Sequence, residues 1–277
     1  VFIWSRVRKR NLVKLYGEYV IITGATDGIG FALAKHFAER GHSLVIIGRN
    51  PVKLESVKQI LQTFLLPERK IITVIANLSS LDSVTYQKIE NSLQDIRGKI
   101  GILVNGAGVF LDKPDAYLNL REQQVLDNVK VNIAAPLMVT RAVLPYMVTN
   151  RRGIVVNIGS ILTLKPTPLV NVYAASKKFL DYFSSALQYE YRRVNVDVQI
   201  ISPGMVSTRM TQWSSMGKPS LTTPTAERFA ISAIATIGLT SHTTGYWVHG
   251  LQSVLMAALP RSLYYWVNVK AMQKSKK

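Results

Sequence analysis

Tyr173 and Lys177 are spaced Y-A-A-S-K, and on a helix that spacing sets a phenol and an ammonium one turn apart on the same face. A free tyrosine keeps its proton to a pKa of about 10, which makes it a poor acid or base at neutral pH. A neighbouring cation stabilises the phenolate and draws that value toward the working range, where general acid–base catalysis is most effective. Ser160, in N-I-G-S at 157–160, adds a hydroxyl able to hold a substrate oxygen beside the phenol. Because Y-x-x-x-K also occurs by chance on solvated helices, the pair takes its meaning from the elements that position it.

The first of these elements is Y-V-I-I-T at 19–23, a short β-branched run leading directly into G-A-T-D-G-I-G, with Gly24, Gly28 and Gly30. Glycines permit a tight turn and let backbone N–H groups approach a pyrophosphate at the N-terminus of the following helix, where the dipole favours an anion. The spacing is G-x-x-x-G-x-G rather than the G-x-G-x-x-G of the commoner dinucleotide turn. A helical pattern then ends at Gly41, and a second strand, S-L-V-I-I-G at 43–48, ends at Arg49. An acidic residue here would bind the ribose hydroxyls of NAD, whereas a cation accommodates the 2′-phosphate of NADP. Arg49 therefore points to NADP(H), with a solvated loop cation as the plain alternative.

A helix opens at Pro51. Further strands are predicted at Ile71–Ala76, Ile100–Asn105, Ile154–Ile158 and Val196–Ile201, with helices near 80–96, 119–149 and 173–193. Continuous apolar strands alternating with helices predict a single α/β domain: a Rossmann-like, doubly wound parallel sheet with helices on both faces. Residues 205–222, rich in Ser, Thr, Gly and Met, follow a strand's carboxyl end and read as a mobile lid or an ordinary surface loop. The stretch from Gly250 to Tyr265 is unusually apolar but is interrupted by Pro260 and Arg261, too short to span a bilayer. It either packs on the domain or lies in a membrane interface.

The chain has 277 residues and no cysteine, which excludes disulfides, thiolate nucleophiles and Cys-ligated zinc. His36, His42, His242 and His249 lack paired ligand spacing, so no metal is expected. The net charge of +18, from 34 basic against 16 acidic residues, gathers at the ends: Arg6, Arg8, Lys9, Arg10 and Lys14, then Lys270, Lys274, Lys276 and Lys277. No nucleic-acid-binding motif accompanies it, so nucleic acid is not the expected partner; an anionic membrane surface fits better. Val1-Phe2-Ile3-Trp4 before S-R-V-R-K-R reads as the end of an apolar span meeting its positive cytoplasmic flank, or as a basic amphipathic arm. The expected organisation is thus an arm over 1–16, a catalytic domain over 17–249 and a C-terminal segment over 250–277, apolar and then basic.

With five separated elements in hand, the chain resembles the short-chain dehydrogenase/reductase superfamily from about Gly17 to Gly250. The elements are T-G-A-T-D-G-I-G at 23–30, N-G-A-G at 105–108, Asn132 in K-V-N-I-A-A, the Ser160/Tyr173/Lys177 set, and P-G-M-V-S-T at 203–208. The resemblance implies Tyr173 as proton donor, Lys177 as the residue that lowers its pKa and holds the nicotinamide ribose, Ser160 orienting the carbonyl, and Asn132 maintaining a water relay to Lys177. It implies cofactor contacts at Gly24, Thr26, Asp27, Gly28, Ile29, Gly30, Arg49, Asn77, Leu78, Asn105, Gly106, Ala107, Tyr173, Lys177, Pro203, Gly204, Val206 and Thr208, and substrate contacts at Ser160, Met205 and Trp213. Asn77 stands where the family usually has an Asp facing adenine, and Gly106 replaces the second Asn of N-N-A-G.

K-P-T-P at 165–168, A-L-Q-Y-E-Y at 186–191 and T-T-G-Y-W-V-H at 243–249 are similar to the membrane-associated 17β-hydroxysteroid dehydrogenase and very-long-chain 3-oxoacyl-CoA reductase group, in particular its hydroxysteroid dehydrogenase-like branch. Some members of that branch resemble inactive enzymes with Phe at the catalytic tyrosine, whereas this chain keeps Tyr173. The resemblance implies an NADP(H)-dependent oxidoreductase interconverting a ketone and a secondary alcohol on a fatty acyl-CoA or steroid. It implies a homodimer and a place on the cytosolic face of the endoplasmic reticulum membrane, with the mitochondrion as alternative. The competing expectation is a weakly active or inactive nucleotide-binding scaffold at a membrane.

Overall fold

The computed structural model describes residues 10–274. The apolar Val1–Trp4 run, Arg6, Arg8, Lys9, Lys276 and Lys277 lie outside the described residues.

Seven parallel strands form one sheet in the order β3-β2-β1-β4-β5-β6-β7. They are β1 (Tyr19–Thr23), β2 (Ser43–Gly48), β3 (Ile71–Ile75), β4 (Ile100–Asn105), β5 (Gly153–Ile158), β6 (Val196–Ile201) and β7 (His242–Thr243). Alternate side chains of each strand project to opposite faces. Val20, Ile22, Ile46 and Val104 therefore join one apolar core, and Ile21, Val45, Ile47 and Leu103 join the other. Both layers are dry because helices cover both faces, which is why the strands read as unbroken apolar runs. β7 escaped the sequence reading because two residues, His242 half exposed, carry no apolar run.

The helices are α1 (Leu12–Tyr16), α2 (Gly28–Glu39), α3 (Pro51–Gln62), α4 (Ser83–Asn91), α5 (Glu122–Val129), α6 (Ala135–Thr149), α7 (Asn171–Tyr191), α8 (Ala226–Ala235), α9 (Trp247–Ala258) and α10 (Arg261–Lys274). Part of the stretch read as a basic arm is α1, whose Leu12 and Tyr16 are buried in the core, with the Tyr16 hydroxyl donating to Asp197 at 3.0 Å. The helix expected near 80–96 ends at Asn91 and gives way to a 3-10 turn over Gln94–Lys99. The helix expected over 119–149 begins at Glu122 and is interrupted by a π-helical turn at Lys130–Ala134. Among the described residues this Glu122–Thr149 run is the one helix long and apolar enough to cross a membrane, yet 56% of its most apolar window is buried. α6 sends Val139, Val143 and Met147 into the core, so the run is a core helix.

The C-terminal apolar stretch resolves into α9 and α10, which pack on the domain through one side only. Tyr264 is fully buried, and its hydroxyl meets that of Thr167 at 2.8 Å. Lys165 donates to the carbonyls of Ala257 and Leu259 at the end of α9, where a cation complements the helix dipole. K-P-T-P, the loop that leads into α7, is thereby fastened to both helices.

Candidate active site

The order of the sheet reverses between β1 and β4, and in open α/β sheets ligands bind outside the carboxyl ends of the strands at that point. The glycine turn lies here. Gly24 sits at φ +72°, and a Cβ on it would come within 2.8 Å of the backbone of Ala107, in the loop after β4. A Cβ on Gly30 would meet the Gly24 carbonyl oxygen at 2.2 Å, so the first turn of α2 lies directly against the loop. The Thr23 hydroxyl accepts from the amides of Gly106 and Ala107, both at 3.1 Å, and ties the two loops across the crevice. Replacing Gly24 by Ala combines a left-handed backbone with a close backbone contact. Thermal unfolding should show a loss of about 2–4 kcal/mol; an unchanged midpoint would mean that the two loops are not in contact.

Asp27 caps α2, its carboxylate accepting from the Gly28 amide at 2.7 Å, and pairs with Arg209 at 3.3 Å. Thr208 lies against Gly28, where a Cβ would come within 3.2 Å of its methyl. The Pro203–Thr208 turn and the glycine turn, far apart in sequence, thus face one another. Gly48 abuts the Thr26 methyl, with 3.2 Å to a Cβ placed there, which puts the neighbouring exposed Arg49 beside the glycine turn. No ion pair engages Arg49 among the described residues. Asn77 differs from expectation: its carbonyl oxygen accepts from the Ser79 amide at 3.2 Å and hydroxyl at 2.8 Å. The side chain therefore presents its amide hydrogens rather than a free acceptor. Leu78 is buried beside it.

Asn105 does not point into the crevice. It donates to Thr140 at 3.0 Å and Asn157 at 2.8 Å, and Asn157 donates to Ser184 at 2.8 Å. This buried chain braces β4, β5 and α7 beneath the site.

The four residues expected to carry chemistry converge at the ends of β4 and β5. Tyr173 lies in the first turn of α7 and Lys177 one turn on, both buried. The Lys177 ammonium sits 5.9 Å from the Tyr173 ring centre and donates to the Ile158 carbonyl at 2.9 Å. Ser160, just past β5, stands close enough to the Tyr173 phenol for its hydroxyl to ease the phenol's pKa downward. Asn132 lies within the π turn, a distortion that often marks functional sites. Its amide pairs with Val109 in both directions, donating to the carbonyl and accepting from the N–H at 2.9 Å each. It also donates to Asn128 at 3.0 Å and Ser176 at 3.2 Å. Gly108 makes the closeness possible, since a Cβ there would lie 3.3 Å from the Lys177 nitrogen and 3.4 Å from the Asn132 oxygen.

The electrostatics depart from the expectation that Lys177 draws the phenol down. Burial pushes Tyr173 up to about 12, with the Ser160 hydroxyl pulling back by less, and burial pushes Lys177 down to about 8. Both groups share a dry environment that disfavours their charged forms, and at 5.9 Å from the ring centre the cation does not reverse this. The phenol is held as a neutral acid.

Sequence reasoning missed Phe110, two residues past N-G-A-G. Its ring meets Tyr173 edge-on at 4.7 Å and stacks on Trp213 at 5.7 Å. Trp213 thus reaches the catalytic centre through Phe110, and 205–222 lies over the site. Met205 belongs to the base of that segment, near His249 of α9. Asn128 and Ser176 were also missed, although their helical offsets from Asn132 and Tyr173 are readable.

A glycine turn at the switch point of a parallel sheet, with Ser160 just past the adjacent strand β5 and Tyr173 and Lys177 on the helix that follows it, defines a dinucleotide-dependent oxidoreductase site. A family model described as short chain dehydrogenase matches residues 18–218, and the chain belongs to that family. It is 41% identical to hydroxysteroid dehydrogenase-like protein 1 of Gallus gallus over 260 residues, 92% of this chain and 76% of that protein. Identity is 39% to inactive hydroxysteroid dehydrogenase-like protein 1 of Homo sapiens over 262 residues, 93% and 77% of the two chains. Identity is 36% to very-long-chain 3-oxoacyl-CoA reductase of Mus musculus over 254 residues, 90% and 78% of the two. Among solved structures, a short-chain dehydrogenase from Sphingobium yanoikuyae in complex with NADPH superposes with a TM-score of 0.72 at 24% identity, covering 88% of this chain and 97% of that one. A 3-oxoacyl-[acyl-carrier protein] reductase from Brucella melitensis with bound NAD does so at 0.69 and 23%, covering 88% and 95%. These likenesses show the fold.

Proposed function

We propose that this protein is an NADP(H)-dependent reductase of a hydrophobic ketone, a 3-oxoacyl-CoA or a keto-steroid. The reading rests on one observation, the convergence of a buried Tyr173 phenol with Ser160 and Lys177 beside a glycine cradle that side chains would fill. The cofactor residues fit a dinucleotide: the turn at the α2 N-terminus offers backbone amides to a pyrophosphate, and the exposed Arg49 beside that turn would supply a cation to a 2′-phosphate. When bound, the cofactor supplies the hydride. Tyr173 then gives its proton to the carbonyl oxygen, Ser160 holds that oxygen, and Lys177 and the fixed Asn132 keep the phenol's surroundings in place. The Phe110–Trp213 stack excludes water and offers aromatic surface to an apolar substrate.

Loss of NADPH absorbance with a panel of 3-oxoacyl-CoAs and steroid ketones tests the reading; tight NADPH binding without turnover on any of them counts against it. Arg49→Ala should weaken NADPH binding by about 10–100-fold and leave NADH little changed, since a charge-assisted hydrogen bond is worth roughly 1.5–3 kcal/mol. Fluorescence titration measures both. Equal affinity of the unaltered protein for the two cofactors would remove the preference.

A second reading, a nucleotide-binding scaffold without useful turnover, is favoured by the human relative named inactive and by the aromatic cover over a Tyr173 only 8% exposed.

A further inference from the structure

α9 has its polarity reversed. Its inward positions include His249, Gln252 and Ser253, whereas Trp247, Leu251, Val254 and Leu255, at i, i+4, i+7 and i+8, face outward. A surface helix normally turns its apolar stripe to the core and its polar residues to water. α10 continues the feature with Leu263, Trp266 and Val267 outward while Tyr264 and Met272 point inward. These seven apolar side chains are between 41% and 65% exposed, and exposed apolar faces of this kind mark contact surfaces.

The segment that carries this face has charge of one sign. Glu227 is the last acidic residue, and residues 228–277 contain only Arg228, Arg261, Lys270, Lys274, Lys276 and Lys277 as charged groups, none of them acidic. Lys270 lies over the Trp266 ring at 4.1 Å, an arrangement of apolar body and cationic tip suited to a boundary between hydrocarbon and anionic headgroups.

We propose that the outward faces of α9 and α10 dock the protein onto an anionic bilayer surface. The apolar side chains enter the headgroup–acyl boundary, and Arg261, Lys270 and Lys274 meet lipid phosphates and carboxylates. α9, with 12 residues, is about 18 Å long, so the segment lies on the bilayer rather than crossing a core of about 30 Å. A second copy of the chain is a poorer occupant, because a two-fold interface would set the same cations against each other. The docked face is one helix away from the site: on the inner side of α9, His249 contacts the Thr222 carbonyl at 3.3 Å and reaches the Met205 backbone, the two ends of the covering segment. The surface stands by its own chemistry whether or not the site turns over substrate.

The test is co-sedimentation of the chain with vesicles of phosphatidylcholine alone and of equimolar phosphatidylcholine and phosphatidylserine. The expected result is binding to the anionic vesicles, weakened by salt, and a loss of at least about 100-fold in the combined Leu251→Glu/Val254→Glu/Leu255→Glu variant, because three apolar side chains no longer leave water and three carboxylates are repelled by the anionic surface. The exposed positions leave the core intact, so the variant should keep the unaltered melting temperature and NADPH affinity. Equal vesicle binding by variant and unaltered protein, or no vesicle binding by either, overturns the proposal. So does light scattering that shows the variant splitting an oligomer, since the face would then belong to a second copy.

Discussion

Tyr173→Phe should lower the reduction rate by about 10²–10⁴-fold, the usual contribution of a positioned general acid, while NADPH affinity and melting temperature stay near their unaltered values. The phenylalanine keeps the ring that meets Phe110 edge-on at 4.7 Å and removes only the hydroxyl beside Ser160. The effect therefore falls on proton transfer rather than on packing. pH sharpens the expectation. With the phenol pushed up to about 12 by burial, Tyr173 remains protonated throughout the neutral range, so carbonyl reduction does not lose its donor as pH rises from 6 to 9. Alcohol oxidation needs the phenolate and should become faster as pH rises over the same interval. Stopped-flow measurement of both directions reads this directly. If Tyr173→Phe and the unaltered protein show the same residual turnover, the scaffold reading stands and the reductase reading falls.

The second large effect is a division between activity and stability at Lys177. Lys177→Met should abolish most turnover and weaken cofactor binding, yet make the protein more stable at pH 7. Burial lowers the lysine from 10.5 to about 8, a difference on the order of 3 kcal/mol against the folded state. Methionine removes that penalty at the cost of one bond to the Ile158 carbonyl, which leaves a net gain of about 1–2 kcal/mol. The sign with pH follows from the lowered value. Below the folded pKa of about 8 the penalty is fully present; between there and the unfolded value the unfolded chain binds the proton more readily, so the unaltered protein gains stability as pH rises. The advantage of the variant should therefore shrink toward zero near pH 10. Urea unfolding at pH 7 and pH 10 measures it, and a variant less stable at both would show that the ammonium is compensated within the fold. Such a residue illustrates a site maintained at the expense of stability.

Access is controlled at the same place as chemistry. Phe110 touches Tyr173 on one side and Trp213 on the other, and Arg209 pairs with Asp27 across the glycine turn. The covering segment is thus attached to the catalytic centre at one point and to the nucleotide cradle at another. The Phe110–Trp213 stack thus covers one side of the phenol.

The sequence by itself determined the sheet and the chemistry at its strand ends. Six apolar runs placed six strands because a parallel sheet buries both faces, and G-A-T-D-G-I-G, N-G-A-G and Y-A-A-S-K stood at strand or helix ends where their backbone geometry is local. Tyr173 and Lys177 share a helix face by spacing alone. Only the tertiary structure decided what distant elements do to one another. It turned Asn105 inward to Thr140 and Asn157, engaged the Asn77 oxygen with Ser79, set Phe110 against the phenol and gave the C-terminal helices one buried and one exposed side. It also decided the acid–base balance, because burial is a property of everything packed around Tyr173 and Lys177, and no spacing along the chain discloses how completely water is removed.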